Sequence, residues 1–408
     1  MWQYAQFFKD TKVRLSNFQI AIFSHYICSL AYPIINSLEM QLSVIILNYN
    51  VRYFLEQCIT SVQKALQTID GEIIVVDNHS IDDSCQMVRQ LFPEVKLIEN
   101  KENLGFPKGN NIGVAQAKGE YVCILNPDTV VAEDTFKKLL AKNHQLSAGI
   151  IGCKLIDGKG NFLPESKRGV PTPWVAFTKV FGLYKISNVF GKYYAQHLSE
   201  NQTGEVDILV GAFMVLKKSL YLEVGGFDEN CFMYSDDIDL SYTIQQKGYK
   251  NYYFADTAVI HYKGESTVRD QKYLHRFQEA MNYFYKKHFK KSLVFDVMMK
   301  AGSFVFALSK QSKQKNIDFK VQKTIVFTKD IYFSKIPNAE ILNSLEAFTN
   351  NKLRYELIFD TTYFSFAEII AFMQQHKAQN IIFKNYIASS NYIIGSNNAN
   401  DLGKIIIC

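Results

Sequence analysis

Five groups of polar residues follow apolar runs, and each offers a residue type that chemistry can use. Asp77 comes directly after Ile73-Ile-Val-Val76. A carboxylate there either caps the next helix or accepts hydrogen bonds from a base or ribose. Asn126-Pro127-Asp128 follows the most hydrophobic run of the chain. It has good turn chemistry, and it also offers a ligand for a hard cation, because Mg2+ typically binds through one or two carboxylates plus substrate phosphates. Asp236, Asp237 and Asp239 crowd three carboxylates into four residues, flanked by Phe232, Met233, Tyr234, Ile238 and Leu240. A solvated helix start would relieve their repulsion, whereas a carboxylate drawn inward gains proton affinity and suits a general base. His261 ends the apolar run Val259-Ile260, where an imidazole is either structural or a metal ligand and proton carrier. The stretch Asn103-Leu-Gly105-Phe-Pro-Lys108-Gly109-Asn110-Asn111 leads into a helix expected over 111–117. It is a simple loop, or a place where backbone N–H groups approach a sugar or phosphate closely.

Positioning these groups requires an alternation of strands and helices. Apolar runs at 42–47, 73–76, 95–98 and 121–125 read as strands, with helical periodicity over 53–68 and a helix start at Asp82-Asp83-Ser84. This predicts βα units and a largely parallel sheet, whose ligands sit beyond the carboxyl ends of the strands. Asn48, Tyr49 and Asn50 occupy such an end, as do Asp77 and Asn126. A further apolar run covers 207–216, and helices are expected at 218–224 and 238–247, the latter stopped by Gly248. From about 321 a smaller α/β pattern begins, with strands at 324–327, 355–359 and 380–383 and helices at 338–348 and 365–376. Asn391 to Gly403 reads as a polar turn region or a ligand loop. The expected organisation is an N-terminal extension at 1–39, a main domain at 40–288, a basic amphipathic helix and linker at 289–320, and a small α/β domain at 321–408.

The 408 residues are 48% hydrophobic and 21% charged, which excludes a disordered, collagenous or coiled-coil chain. The net charge of +6 is local: 286–315 holds eight lysines and one acid, leaving the rest at −1. That pattern suits an anionic membrane surface better than nucleic acid, so no nucleic-acid partner is expected. The stripe Val294, Val297, Met298, Ala301, Val305, Leu308 has helical spacing between those lysines, so 289–308 either packs on the core or lies at a lipid interface. Seven cysteines without a Cys-x-x-Cys pair read as buried thiols of a reducing compartment. No segment makes a convincing membrane span or signal peptide.

Taken in order, Val44-Ile-Ile-Leu-Asn-Tyr-Asn50, Val75-Val-Asp-Asn-His-Ser80, Asn103-Leu-Gly-Phe106, Leu125-Asn-Pro-Asp128, Val210-Gly-Ala-Phe-Met214, Gly225-Gly-Phe-Asp-Glu229, Asp236-Asp-Ile-Asp-Leu240 and His261-Tyr-Lys-Gly-Glu-Ser266 resemble the inverting family 2 glycosyltransferases, in particular their bacterial rhamnosyltransferase-like branch. The resemblance covers roughly 41–290. It implies the GT-A fold: α/β with a mixed, mainly parallel sheet, here followed by the small C-terminal α/β domain. It implies that Asn48, Tyr49 and Asn50 border a nucleotide, that Asp77 binds its base, and that Asn103, Gly105 and Asn110 line the donor pocket. Asn126 and Asp128 stand at the first and last positions of the family's Asp-x-Asp motif, so Asp128 becomes a metal ligand and His261 can complete the Mg2+ or Mn2+ site. Asp237 matches the catalytic base, Asp236 stands where the family usually has Glu, and Gly211 and Ala212 match the acceptor side. Two departures stand out. Thr243 occupies a position where the family often has Arg, so diphosphate contacts would fall to Lys108, Lys263 or Arg269, and His79 replaces a usually small residue, which bears on donor choice.

The implied reaction is a single displacement that inverts the anomeric carbon. A base takes the acceptor hydroxyl's proton while a divalent cation stabilises the departing diphosphate. Expected partners are a UDP-, dTDP- or GDP-linked sugar and a glycan or lipid-linked acceptor, at a cytoplasmic location with peripheral contact to the inner face of the membrane. Two rival readings remain. A nucleotidyltransferase would want a Gly-rich, basic N-terminal loop, and 47–54 supplies only Arg52 and no Gly. A non-catalytic nucleotide-sugar-binding subunit would be signalled by loss of the carboxylates, and Asp128 and Asp237 are both present.

Overall fold

The structure is a computed structural model that describes residues 40–172, 174–175, 178, 182–183, 186–262, 271–289, 320–330, 332–396 and 403–408. The expected extension at 1–39, most of the lysine-flanked segment and the centre of the Gly/Asn-rich stretch at 397–402 lie outside the described residues. The first part of the chain supplies strands β1 (Leu42–Asn48), β2 (Gly71–Asp77), β3 (Lys96–Glu99), β4 (Tyr121–Leu125), β5 (Thr129–Val130), β6 (Ile151–Ile156), β7 (Gly204–Val206), β8 (Phe213–Lys217) and β9 (Asn251–His261). Its helices are α1 (Arg52–Leu66), α2 (Ser84–Leu91), α3 (Gly105–Ala115), α4 (Thr135–Leu146), α5 (Lys218–Glu223), α6 (Asp236–Gln246) and α7 (Gln271–His288).

These strands form one sheet in the order β3-β2-β1-β4-β8-β6-β9-β5, with β7 on β9. Pairings are parallel from β3 through β4 and between β6 and β9, and antiparallel elsewhere. The expected α/β class with a mixed, mainly parallel sheet is therefore observed. Strand residues are apolar on both faces because both faces are covered. Val44, Ile46, Val75 and Cys123 pack under Leu55, Ile59, Phe136 and Leu139 of α1 and α4. Their alternates Ile45, Ile74, Val122 and Ile124 pack under Val114, Leu220, Leu240 and Ile244 of α3, α5 and α6.

A second sheet comprises β10 (Lys323–Phe327), β11 (Glu340–Leu342), β12 (Tyr355–Asp360), β13 (Ile381–Ile387), β14 (Tyr392–Gly395) and β15 (Lys404–Ile407), in the order β11-β10-β12-β13-β14-β15, with helix α8 (Phe366–Gln375). Its core is continuous with the first sheet. Phe54, Val130, Ile260 and Tyr262 belong to the same apolar cluster as Phe327, Phe359, Phe372 and Tyr392.

Two expectations are corrected, and one apolar run resolves into two parts. The helix expected at 338–348 is instead β11 and a short turn of helix at Leu345–Ala347, because Ile325 to Phe327 offer 340–342 a parallel ladder and pairing overrides local periodicity. The helix expected over 111–117 runs over 105–115, so the Gly- and Asn-rich stretch is the helix itself. Its glycines permit close contact with the sheet: a Cβ on Gly113 would lie 2.4 Å from Ile45 Cγ2. The apolar run 207–216 becomes a strand only from Phe213, because Gly211 and Ala212 spend their backbone bonds on the site described next. No helix among the described residues is long and apolar enough to cross a membrane. All six described cysteines are free thiols; Cys58, Cys123, Cys153 and Cys231 are buried, and Cys85 and Cys408 half-buried.

Candidate functional site

The register of the parallel strands sets Asn48 beside Asp77, and both side chains are buried. Asn48 Nδ2 donates to Asp77 Oδ1 (2.7 Å) and to Ser80 Oγ (3.1 Å). Ser80 returns its N–H to Asp77 Oδ2 (2.8 Å) and its hydroxyl to Asp77 Oδ1 (2.6 Å). The turn that lets Ser80 reach back passes through His79 at φ 63°, and Asn50 at φ 55° closes the facing turn, accepting the Ile81 N–H on Oδ1 at 2.8 Å. Asp77 thus braces the loops after β1 and β2. Tyr49 stands 38% exposed beside it.

Asn78 continues the network to α3. Its amide donates to the Gly105 carbonyl at 3.1 Å and to Asn103 Oδ1 at 3.4 Å, and Asn103 Oδ1 accepts the Gly105 N–H at 3.0 Å. Gly105 sits at φ 80°, and a Cβ there would strike the Phe232 carbonyl at 2.6 Å, so only glycine fits. Phe106 N–H bonds that same carbonyl, fastening the start of α3 to the loop that leads into α6. Asn110 is fully buried; its amide bonds the Phe106 carbonyl, and its Oδ1 has no partner.

Asn126, Asp128 and His261 meet at the ends of β4, β5 and β9. Antiparallel pairing of Thr129 with His261 brings the imidazole alongside. His261 Nε2 lies 3.4 Å from Asp128 Oδ1 and 3.4 Å from Asn126 Nδ2. Asp128 is 2% exposed, and neither its Oδ1 nor His261 Nδ1 has a hydrogen-bond partner. A buried carboxylate oxygen left open beside an imidazole nitrogen is a donor set that fits Mg2+ or Mn2+, whose ligands stand about 2.0–2.2 Å from the ion. Among the described residues no group of three or more His, Cys, Asp or Glu could hold a metal, so these two residues alone would not complete a coordination sphere.

The acidic cluster opens α6, and all three carboxylates are buried, at 4–8% exposure. Their fates differ. Asp239 bonds Lys287 at 2.8 Å and His288 at 2.6 Å, which pins the end of α7. Asp237 Oδ2 accepts from Arg168 Nη2 at 2.5 Å and from the Gly211 N–H at 3.0 Å. Asp236 Oδ1 has no partner, and its pKa is pushed up to about 7 by burial and then by the charge of Asp237. Tyr234, just before the cluster, is held at φ 83°, an uncommon geometry for a bulky residue and a frequent mark of functional sites.

Gly211 and Ala212 join the two halves. The Asn126 N–H donates to the Ala212 carbonyl at 3.0 Å, while the Gly211 N–H holds Asp237. The structure therefore brings together the sequence-predicted Asn48, Asn50 and Asp77, links Asn103 and Gly105 to them, and ties Asn126 to Asp237 through Gly211-Ala212. Thr243 Oγ1 is buried without a partner, Lys108 is exposed, and Lys263 and Arg269 lie outside the described residues. Arg168 was not foreseen. It stands alone in a proline-rich loop, and its partner Asp237 is 69 positions away, so no local spacing announces it.

Residues 43–225 match the family model described as "Glycosyl transferase family 2". An N-acetylglucosaminyl-diphospho-decaprenol L-rhamnosyltransferase of Mycobacterium tuberculosis is 28% identical over 241 residues, covering 56% of this chain and 78% of that one. A GalNAc(5)-diNAcBac-PP-undecaprenol beta-1,3-glucosyltransferase of Campylobacter jejuni is 32% identical over 167 residues, covering 40% of this chain and 54% of that one. Among solved structures, a mannosyltransferase from Pyrobaculum calidifontis in complex with GDP-Man and Mn2+ aligns at a TM-score of 0.43 and 19% identity, over 65% of this chain and 70% of that one. The segment from β1 to the end of α5 thus resembles the family 2 glycosyltransferases, and the rest of the chain lies outside that match.

Proposed function

We propose that the protein is an inverting glycosyltransferase. It moves a sugar from a nucleoside diphosphate to a hydroxyl of a bacterial cell-envelope glycan or lipid-linked acceptor, with Asp237 as base and a divalent cation at Asp128 and His261. One observation carries this reading: the Gly211-Ala212 backbone ties the open Asp128–His261 corner, through Asn126, to the carboxylate of Asp237. A transfer needs those two functions on opposite sides of one anomeric carbon. The named relatives act on polyprenyl-diphosphate-linked saccharides, which supports the acceptor class.

In this reading Asn48, Tyr49, Asn50 and Asp77 receive the nucleoside, with Asn103, Gly105 and Asn110 beneath the donor. Asp128 and His261 would hold Mg2+ or Mn2+, which when bound would neutralise charge on the diphosphate. Asp237 takes the acceptor hydroxyl's proton as that oxygen bonds the anomeric carbon, and the bond to the diphosphate breaks with its electron pair leaving on the diphosphate oxygen. No enzyme nucleophile takes part, so the configuration inverts. The local lysine excess at 286–315 supports peripheral contact with an anionic membrane on its cytoplasmic face.

Thermal shift with UDP-, GDP- and dTDP-sugars, each with and without Mn2+, tests the reading. One nucleotide class should stabilise the protein in a metal-dependent way, by about 2.7 kcal/mol at a hundredfold excess over Kd. Asp237→Asn should keep that shift and lose about 10²- to 10⁴-fold in turnover. A wild type that no nucleotide sugar shifts would turn the assignment towards a non-catalytic subunit.

A further inference from the structure

Arg168 is 8% exposed, and its backbone pairs with Ile208 in both directions, N–H to carbonyl at 2.9 Å each way. That bridge fixes where the guanidinium begins. Its far end is fixed too: Nη2 donates to the Leu209 carbonyl at 3.0 Å and to Asp237 Oδ2 at 2.5 Å. The neighbouring Lys167 bonds the carbonyls of Tyr194, Ala195 and Leu198, so the segment is clamped on both sides. A buried cation this constrained is a costly feature unless its position matters.

We propose that Arg168 is a positioning residue for the transfer: with the Gly211 N–H it fixes Asp237 Oδ2, leaving Oδ1 as the oxygen that receives the acceptor's proton. The proposal rests on the transferase reading above. It also explains why two adjacent buried aspartates coexist. The guanidinium bonds Asp237 Oδ2, whereas Asp236 keeps an unpartnered Oδ1 and a raised pKa, held up by burial and by Asp237 and lowered in part by Arg168. Burial alone would lower the Arg168 pKa, but Asp237 and Tyr193 raise it, so the cation persists. The groups facing Asp236 are Asp237 on its own helix, Arg168 from the loop, Tyr221 from α5 and Cys231 from the preceding turn. Asp239 is engaged by Lys287 and His288.

The full chain labelled with 13C at aspartate carboxyls tests this without any substrate. The Asp236 signal, assigned by its loss in Asp236→Asn, should titrate near 7 in the wild type and move upward by about a pH unit in Arg168→Gln, because a neighbouring cation that favoured its ionised form is gone. An unmoved Asp236 titration in a folded Arg168→Gln overturns the proposal. If that variant does not fold, Arg168→Lys carries the test. A lysine keeps the charge but not the planar fork, so the titration should stay near the wild type. With whichever nucleotide sugar shifts the wild type, release of nucleoside diphosphate should meanwhile slow by about tenfold or more at unchanged donor KM. Wild-type turnover in Arg168→Lys overturns the positioning role. Should no nucleotide sugar shift the wild type, the transferase reading fails, while the titration still decides whether Arg168 orders the aspartate pair.

Discussion

The two sheets share a core yet finish their strands differently. Among the described residues, every buried side-chain nitrogen or oxygen without a hydrogen-bond partner lies at or before His261. Six such atoms belong to Asn48, Asn110, Asp128, Arg168, Asp236 and His261, all in the candidate site. The second sheet buries polar groups at its strand ends as well, but satisfies them. Thr328 donates to Asp360 at 2.9 Å, Asp360 also accepts the Thr362 N–H at 3.0 Å, and Thr361 donates to the Tyr386 carbonyl at 3.0 Å. Buried groups left open cost stability and can be satisfied by a ligand, so the contrast at the strand ends makes the first sheet the candidate binding sheet and the second the holding one, although ten further unpartnered atoms of the first part lie outside the candidate site.

Removing an aromatic anchor from the second sheet should break that contrast most visibly. Phe359 stacks on Phe327 with centroids 5.1 Å apart and meets Phe372 edge-on at 5.5 Å. Phe359→Ala should cost about 3–5 kcal/mol of unfolding free energy in urea. The surviving folded protein should bind donor as before; a changed donor Kd would show that the second sheet shapes the site. The reverse experiment is Asp128→Asn, which removes a carboxylate whose Oδ1 has no hydrogen-bond partner and meets only the His261 imidazole at 3.4 Å. Stability without ligand should hold within about 0.5 kcal/mol or rise. The metal-dependent part of the donor shift, about 2.7 kcal/mol at a hundredfold excess, should vanish in calorimetry.

Much of this division was legible before the structure. Strands β1, β2 and β4 are visible as apolar runs because both faces of the sheet are covered, and their polar ends mark the site. Asp77, Asp128 and Asp237 are residue types that chemistry uses, placed at strand ends or a helix start, so a sequence reading singles them out. Arg168 does not, since its role exists only after the chain folds the proline-rich loop against α6. The glycines of α3 misled for a physical reason. Gly109 and Gly113 resemble loop residues by propensity, yet they are spaced to let a helix lie against Leu47 and Ile45. Likewise 338–348 lacks a strand's clear pattern, and only a partner strand makes 340–342 extended.

Two smaller effects sharpen the comparison. Asp236 binds its proton more tightly when folded, with a pKa moved from 3.8 to about 7, so folding takes up a proton between those values. Stability is therefore greatest below that window and falls as pH rises through it, at up to about 1.4 kcal/mol per pH unit. Asp228 has the opposite sign: Lys287 and Tyr283 outweigh its burial and hold its pKa far below the usual carboxylate range, so its contribution is lost only on strong acidification. Urea midpoints at pH 5 and 7.5 should differ in the wild type and converge in Asp236→Asn. A slope that survives the substitution would place the proton elsewhere.

The smallest expected effect lies where the sheets meet. Glu133, just after β5, accepts the first two N–H groups of α8, from Phe366 and Ala367, at 2.8 Å each. A carboxylate from the binding sheet thus caps a helix of the holding sheet, where it meets unpaired N–H groups and the positive end of the helix. Glu133→Gln keeps one acceptor and loses the charge, which should cost about 1 kcal/mol of stability. Because Glu133 lies five positions from Asp128, the same variant asks whether strain in the holding sheet reaches the Asp128–His261 corner. A lower Tm with an unchanged metal-dependent donor shift means that the sheets share a core but not a function, since Asp128 is fixed by its own backbone bond to Tyr262 and not by α8. A weakened donor shift means that the second sheet sets the geometry of Asp128 and His261, and the division between binding and holding would then fall at the strand ends instead of between the sheets.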